Sequence, residues 1–403
     1  MNMNMSSIVE ECVKVIKEKT GNLDMLNIAV VGKTGVGKST LINNVFRENL
    51  AQVGIGEPMT KHMKKITKRD FPLGIYDTRG FELGKEAQKE VKKELLDEIR
   101  KTQKTNNMNE QIHCIWYCVQ AGSGRLEPEE RDWIREFTEE SNCNIPIIVV
   151  LTQAFQKSKA KELQSYIESL NMNVKKVIPV LAEEAVIDED YTVKAYGLDT
   201  LIEVMADVLP EELVDTLANV QKVNLKLKQK KAQAAVVSAA AAAVLEGGIP
   251  VPFVSDAALL IPTEVTMLAS ITVIFGFEIN KSILTAIVSS VIGTSGATIA
   301  GKMIVANLLK MIPGAGTLVG SGISATTAAT LTTALGEAYI GVMTAMYKGE
   351  MQMKELETEK GREKMKNLFR RELKEMRKTN QKSMRNETSR EISSKTVVRH
   401  YGE

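Results

Sequence analysis

Gly32-Lys33-Thr34-Gly35-Val36-Gly37-Lys38-Ser39-Thr40 has the spacing G-x-x-x-x-G-K-[ST], and its flanks decide the fold. Ahead of it, Leu26-Asn27-Ile28-Ala29-Val30-Val31 reads as a buried strand; behind it, Leu41-Ile42-Asn43-Asn44-Val45-Phe46 begins a helix. A strand that enters a glycine-rich loop and leaves it as a helix aims backbone N–H groups at a phosphate, with the positive helix end behind them. Residues 32–40 are therefore expected to bind a nucleoside triphosphate. Lys38 would bridge β- and γ-phosphate oxygens as a point charge, and the Ser39 hydroxyl would ligate Mg²⁺.

The rest of the composition narrows little. A chain of 403 residues suggests two or three domains, and 44% hydrophobic with 25% charged residues is ordinary for a globular protein. The formal net charge of +2 argues neither for nor against nucleic acid; with no RNA-binding domain legible, nucleic acid is not expected as a partner. Cys12, Cys114, Cys118 and Cys143 are too few and scattered for a disulfide framework. His113, Cys114 and Cys118 lack the second ligand pair of a zinc site. The first residues carry neither a basic nor an apolar leader region, so no secretion signal is expected.

Charge and periodicity divide the chain into zones. Residues 1–20 hold a short amphipathic helix. Residues 21–212 alternate apolar runs with helix-periodic ones, which predicts a parallel sheet covered by helices on both faces, a three-layer αβα domain. Residues 213–231 form a basic linker helix with Lys222, Lys226, Lys228, Lys230 and Lys231. Residues 232–348 are Ala- and Gly-rich, and between Lys231 and Lys348 they carry only eight charges, Glu246, Asp256, Glu264, Glu278, Lys281, Lys302, Lys310 and Glu337. They predict a mostly helical hydrophobic domain. Residues 349–403 return to high charge, a helical and then disordered tail.

Asp77-Thr78-Arg79-Gly80 follows an apolar strand at 73–76. An acid at that strand end reaches Mg²⁺ through water, and a glycine three positions on offers its N–H to a γ-phosphate; coming some 40 residues after the phosphate loop, the pair gains specificity. Thr60, in a loop, is the candidate switch threonine that ligates Mg²⁺ while the γ-phosphate is present; Thr67 competes but reads as strand.

Loop, threonine and Asp77–Gly80, in this order, resemble the Era-like branch of the TRAFAC-class P-loop GTPases. The resemblance implies a Mg²⁺-dependent site for GTP and GDP. Thr152-Gln153-Ala154-Phe155 sits where such proteins carry N/T-K-x-D, but Gln153 replaces the lysine and Phe155 the guanine-reading aspartate. Leu181 and Ala182 are similar to the short loop that touches the base. Phe81 stands where related proteins carry a water-orienting glutamine, so slow hydrolysis is implied and no catalytic residue is assigned. Thr-Gln versions of the motif resemble a subgroup followed by a helical hydrophobic domain of unknown function, which Ile249–Pro262 is also similar to.

That domain carries the second question. Uncharged runs at 282–301 and 311–336 reach membrane-spanning length, although Gly, Ser, Thr and Pro313 dilute or break them. Tightly packed soluble helices and membrane insertion both remain open. The leading expectation is a slow GTPase on the cytoplasmic side of a membrane, its switch coupled to the helical domain. A nucleotide-sensing scaffold with negligible turnover, acting on a soluble protein partner, is the alternative. An ATPase is the third.

Overall fold

The computed structural model describes residues 5–50, 55–60, 62–78, 85–140, 145–247, 257–292 and 325–356, with scattered positions up to 371. The chain divides into two compact units, Gly21–Lys228 and residues 1–20 with 229–403. Helix α1 (Met5–Gly21) precedes the first strand.

The first unit is built on a seven-stranded sheet: β1 (Leu26–Val31), β2 (Ile55–Pro58), β3 (Met63–Lys68), β4 (Phe71–Thr78), β5 (Cys114–Gln120), β6 (Ile147–Thr152) and β7 (Lys176–Pro179), in the order β2-β3-β4-β1-β5-β6-β7. Strands β4-β1-β5-β6-β7 are parallel. Every residue of β1 and β6 is buried because helices cover both faces. Strands β2 and β3 are antiparallel, a departure from the all-parallel expectation. Chain length explains it for β3 and β4: only Arg69 and Asp70 separate them, and such a short turn, with Asp70 left-handed at φ +58°, can join two strands only antiparallel. Pro58 ends the edge strand β2, which the sequence reads as loop.

Helices α2 (Lys38–Val45), α3 (Lys85–Lys104), α4 (Pro128–Arg135), α5 (Lys157–Ser169) and α6 (Leu198–Val208) alternate with the strands. A hairpin of β8 (Ala185–Asp188) and β9 (Tyr191–Val193) follows β7. Helix α7 (Glu211–Val220) belongs to the same unit, burying Leu213, Leu217 and Val220 while Thr216 donates to the Asp24 carbonyl at 2.8 Å. Strand β1 lies between β4 and β5, so the chain leaves it in opposite directions on its two sides. Ligands bind open α/β sheets at such a switch point, beyond the carboxyl ends of the strands.

The second unit contains α1, α8 (Leu225–Gly247) from Gln229 onward, α9 (Ala257–Phe275), α10 (Lys281–Ile292) and α11 (Ala325–Tyr347). Ile8, Val9 and Cys12 of α1 are buried here, and Glu10 meets Lys281 at 2.6 Å. Any Cβ on Gly336 of α11 would collide with Val236 and Met267, so the small residue permits close helix packing. Thr272 donates to the Leu268 carbonyl, which leaves the Tyr339 hydroxyl to donate to Thr272, 2.8 Å away. Much of both sequence-predicted spans, at 293–324, lies outside the described residues. Among the described residues, no helix is long and apolar enough to cross a membrane.

One buried polar group ties the sheet to pH. His113 Nδ1 accepts the Asn27 N–H at 3.0 Å, so Nε2–H donates to the Met108 carbonyl at 3.0 Å. Burial pulls its pKa down to about 4. A depressed histidine contributes stability that is present above about pH 6.5 and is lost as pH falls towards 4. Urea unfolding between those limits is expected to show a loss of about 1–3 kcal/mol, smaller in His113→Asn.

Candidate nucleotide site

Strand β1 delivers Gly32 against β5 so closely that a Cβ there would overlap the Cys118 carbonyl, and its φ of +146° also favours glycine. Thr34 and Gly35 stand exposed at the loop's apex, whereas Val36 turns inward. The chain then reverses through Gly37, left-handed at φ +93°, which caps α2 without a side chain. The first N–H groups of α2 thus face outward with the helix dipole behind them. Thr40 follows in the first turn of that helix.

Lys38 bends back over this loop. Its Nζ donates to the carbonyls of Gly32 at 2.8 Å and Lys33 at 3.1 Å. An ammonium has three donors, so this posture leaves one for a phosphate oxygen. Lys33 pairs at 3.7 Å with Glu130, a buried carboxylate on α4. Burial raises the Glu130 pKa, while the Glu127 N–H and Lys33 lower it. The pair fixes the outer edge of the loop to α4.

Asp77 is placed by register, opposite Val30 of β1 on one side and Lys64 of β3 on the other. It therefore ends its strand beside the point where β1 becomes the phosphate loop. Cys118 senses both charges: burial pushes its thiol up to about 12, Lys38 lowers it and Asp77 raises it. Thr78 locks the strand end by donating to the Val30 carbonyl. Gly80, with Arg79 and Phe81, lies outside the described residues. Ser39, Thr60 and Asp77 supply two hydroxyls and a carboxylate, hard oxygen donors that suit Mg²⁺, an ion that keeps water and phosphate ligands. Among the described residues, no group of three or more His, Cys, Asp or Glu could hold a metal.

Thr60 follows β2, and its backbone N–H and that of Met59 both donate to the Met63 carbonyl, closing a tight turn. Its hydroxyl donates to Glu94 of α3 at 2.5 Å. The sequence gives no sign of this partner, because an acid on a charged helix is indistinguishable from its solvated neighbours.

The base-side loop is retied. Thr152 is buried, its hydroxyl donating to the Val119 carbonyl at 3.1 Å, so it holds the loop to β5. Gln153 takes a left-handed φ of +52° and lies against Gly37. Its Nε2 donates to the Gly35 carbonyl at 2.8 Å, and its Oε1 accepts from Gln120 Nε2 at 2.8 Å. Gln153 is thus a clamp on the phosphate loop, steered by Gln120. Gln120 carries no sequence signal for this role beyond being the exposed polar residue that ends an apolar strand. Phe155 is 41% exposed. Leu181 is buried and exchanges backbone hydrogen bonds with Tyr196, whose hydroxyl donates to the Ala154 carbonyl at 2.7 Å. Leu181 and Ala182 are thereby tied beside Gln153–Phe155, so both base-side segments and the phosphate loop share one end of the sheet.

A family model described as 50S ribosome-binding GTPase matches residues 27–183. The probable GTP-binding protein EngB of Caldanaerobacter subterraneus subsp. tengcongensis is 34% identical over 165 residues, 39% of this chain and 78% of that protein. Septin-9 of Rattus norvegicus is 26% identical over 145 residues, 30% of this chain; the match spans 26% of the septin's own length. Among solved structures, the G domain of T. maritima FeoB is similar at 14% identity and a TM-score of 0.28, covering 46% of this chain and 98% of that one.

The Gln153 clamp has a measurable consequence. Gln153→Ala is expected to weaken GTP and GDP binding alike, by about three- to tenfold, the worth of one hydrogen bond. Titration with fluorescent nucleotides checks it; unchanged affinity for both would show that the clamp does not support the loop.

Proposed function

The chain belongs to the P-loop GTPases, residues 27–183 forming its GTP-binding domain, and from that premise we propose a slowly hydrolysing switch coupled to a helical unit that associates with a membrane on its cytoplasmic side. The observation that carries the reading is the phosphate cradle: Lys38 held by two loop carbonyls at the head of α2, with Asp77 ending the adjacent strand. The order of loop, Thr60 and Asp77–Gly80 supports an Era-like placement.

In this reading the loop's N–H groups and Lys38 hold the β- and γ-phosphates and accept the charge that grows on them as the terminal bond breaks. Ser39, Thr60 and Asp77 would hold Mg²⁺, which when bound neutralises charge on the β- and γ-phosphate oxygens. Hydrolysis adds water to the γ-phosphorus and releases GDP and phosphate. Phe81, with no donor or acceptor to orient that water, motivates a slow rate, on the order of 10⁻³ s⁻¹. Guanine contact falls to the base-side loops of Gln153 and Leu181–Ala182, since Phe155 brings no carboxylate.

For the membrane, the supporting feature is α8. Val237 and Leu245 are 69% and 74% exposed on a helix whose other side is packed, an arrangement that leaves apolar surface to be covered. Lys226 and Lys230 are exposed and suit anionic headgroups. Two other lysines of the linker are committed elsewhere: Lys228 is buried and donates to the Ala218 carbonyl, and Lys222 donates to that of Asn43.

Vesicle flotation with GDP and with a non-hydrolysable GTP analogue tests the coupling. More protein is expected to float with the analogue, and Lys38→Ala is expected to erase the difference. Equal flotation in both nucleotides overturns the coupling. Single-turnover hydrolysis separates the scaffold alternative, which negligible cleavage in the presence of vesicles would favour.

A further inference from the structure

The Thr60 turn is gripped from one helix. Glu94 Oε2 accepts the Thr60 hydroxyl at 2.5 Å and the His62 N–H at 3.2 Å. One turn earlier, Glu90 Oε2 lies 3.0 Å from His62 Nε2, whose ring is buried. Residues four apart share a helix face, so Glu90 and Glu94 form a two-carboxylate edge on α3. The helix itself is fixed by Val91, Leu95 and Ile99, all buried in the sheet's core together with Met63. Two otherwise separate segments are joined this way: the turn bearing Thr60, and the helix that follows Asp77–Gly80 in the chain.

The hydroxyl's bonding decides what this grip does. Thr60 Oγ1 gives its proton to Glu94 and accepts the Met63 N–H at 3.0 Å. A hydroxyl oxygen has two lone pairs, so one remains for a hard cation. Donation to a carboxylate makes that oxygen more electron-rich and fixes its direction, as outer partners of metal ligands do elsewhere. We propose that Glu94, braced by the neighbouring His62–Glu90 contact, is a positioning residue that presents Thr60 to Mg²⁺ and makes the threonine turn and α3 answer nucleotide as one body. The inference rests on Thr60 being the switch threonine.

Binding of a non-hydrolysable GTP analogue at varied Mg²⁺, together with hydrogen exchange along α3, tests it. Glu94→Ala is expected to raise the Mg²⁺ needed for half-maximal analogue binding by about tenfold. It should also abolish the analogue-induced protection of α3, while GDP affinity stays at the wild-type value and so reports an intact fold. Glu94→Gln, which keeps an acceptor oxygen, is expected to recover most of both. If Thr60→Ala shifts the Mg²⁺ dependence but Glu94→Ala shifts neither readout, the positioning role is wrong and the threonine's assignment stands. If Thr60→Ala itself leaves the Mg²⁺ dependence unchanged, the assignment of Thr60 falls and the inference with it.

Discussion

Close contact between the Gly32 backbone and the Cys118 carbonyl sets the geometry at the phosphate end of the sheet. Only a residue without Cβ lets β1 run that close to β5 and still turn outward. From there the left-handed Gly37 starts α2, and the helix N–H groups take their direction from that turn. Lys38 is held by the same loop's carbonyls, and Asp77 by the register of the next strand. Positions that look independent along the chain are thus gathered at one end of β1, Lys38 by the strand-to-helix turn and Asp77 by strand pairing.

The retied base loop follows the same logic. A lysine covering the phosphate loop would bring a positive charge; Gln153 brings an amide with one donor and one acceptor face, and both are used. Gln120 is needed because an amide, unlike an ammonium, must be oriented. The amide holds the phosphate loop through the Gly35 carbonyl, while Phe155, two residues on, stands partly exposed and brings no carboxylate. The Lys38 cradle and the loops at Gln153 and Leu181 are thus held by different contacts, the first by loop carbonyls, the second by Gln120, Val119 and Tyr196.

Helix α1 shows how chain order can mislead. Its apolar stripe at Ile8, Val9 and Cys12 belongs with helices from beyond residue 228, although its sequence leads straight into the first strand. Amphipathic spacing reveals that a face will be buried but not against what. The hairpin after β7 is not legible in the sequence for a related reason. Val186, Ile187 and Tyr191 are exposed, so the period-2 burial that marks a strand is absent there.

What the sequence determined by itself was everything local: the phosphate loop, the strand before it and the helix after it, the alternating domain, and the step to a low-charge helical region. Those follow from backbone conformation, periodicity and charge, which neighbours in the chain already express. Tertiary structure decided the antiparallel edge, the burial of Lys228, the Gln120–Gln153–Gly35 chain and the grip of Glu94 on Thr60. Each is a pairing between residues tens of positions apart, or a choice of which of several similar lysines or glutamates turns inward. Only packing, by bringing one of them within reach of a carbonyl or hydroxyl, distinguishes it from the rest.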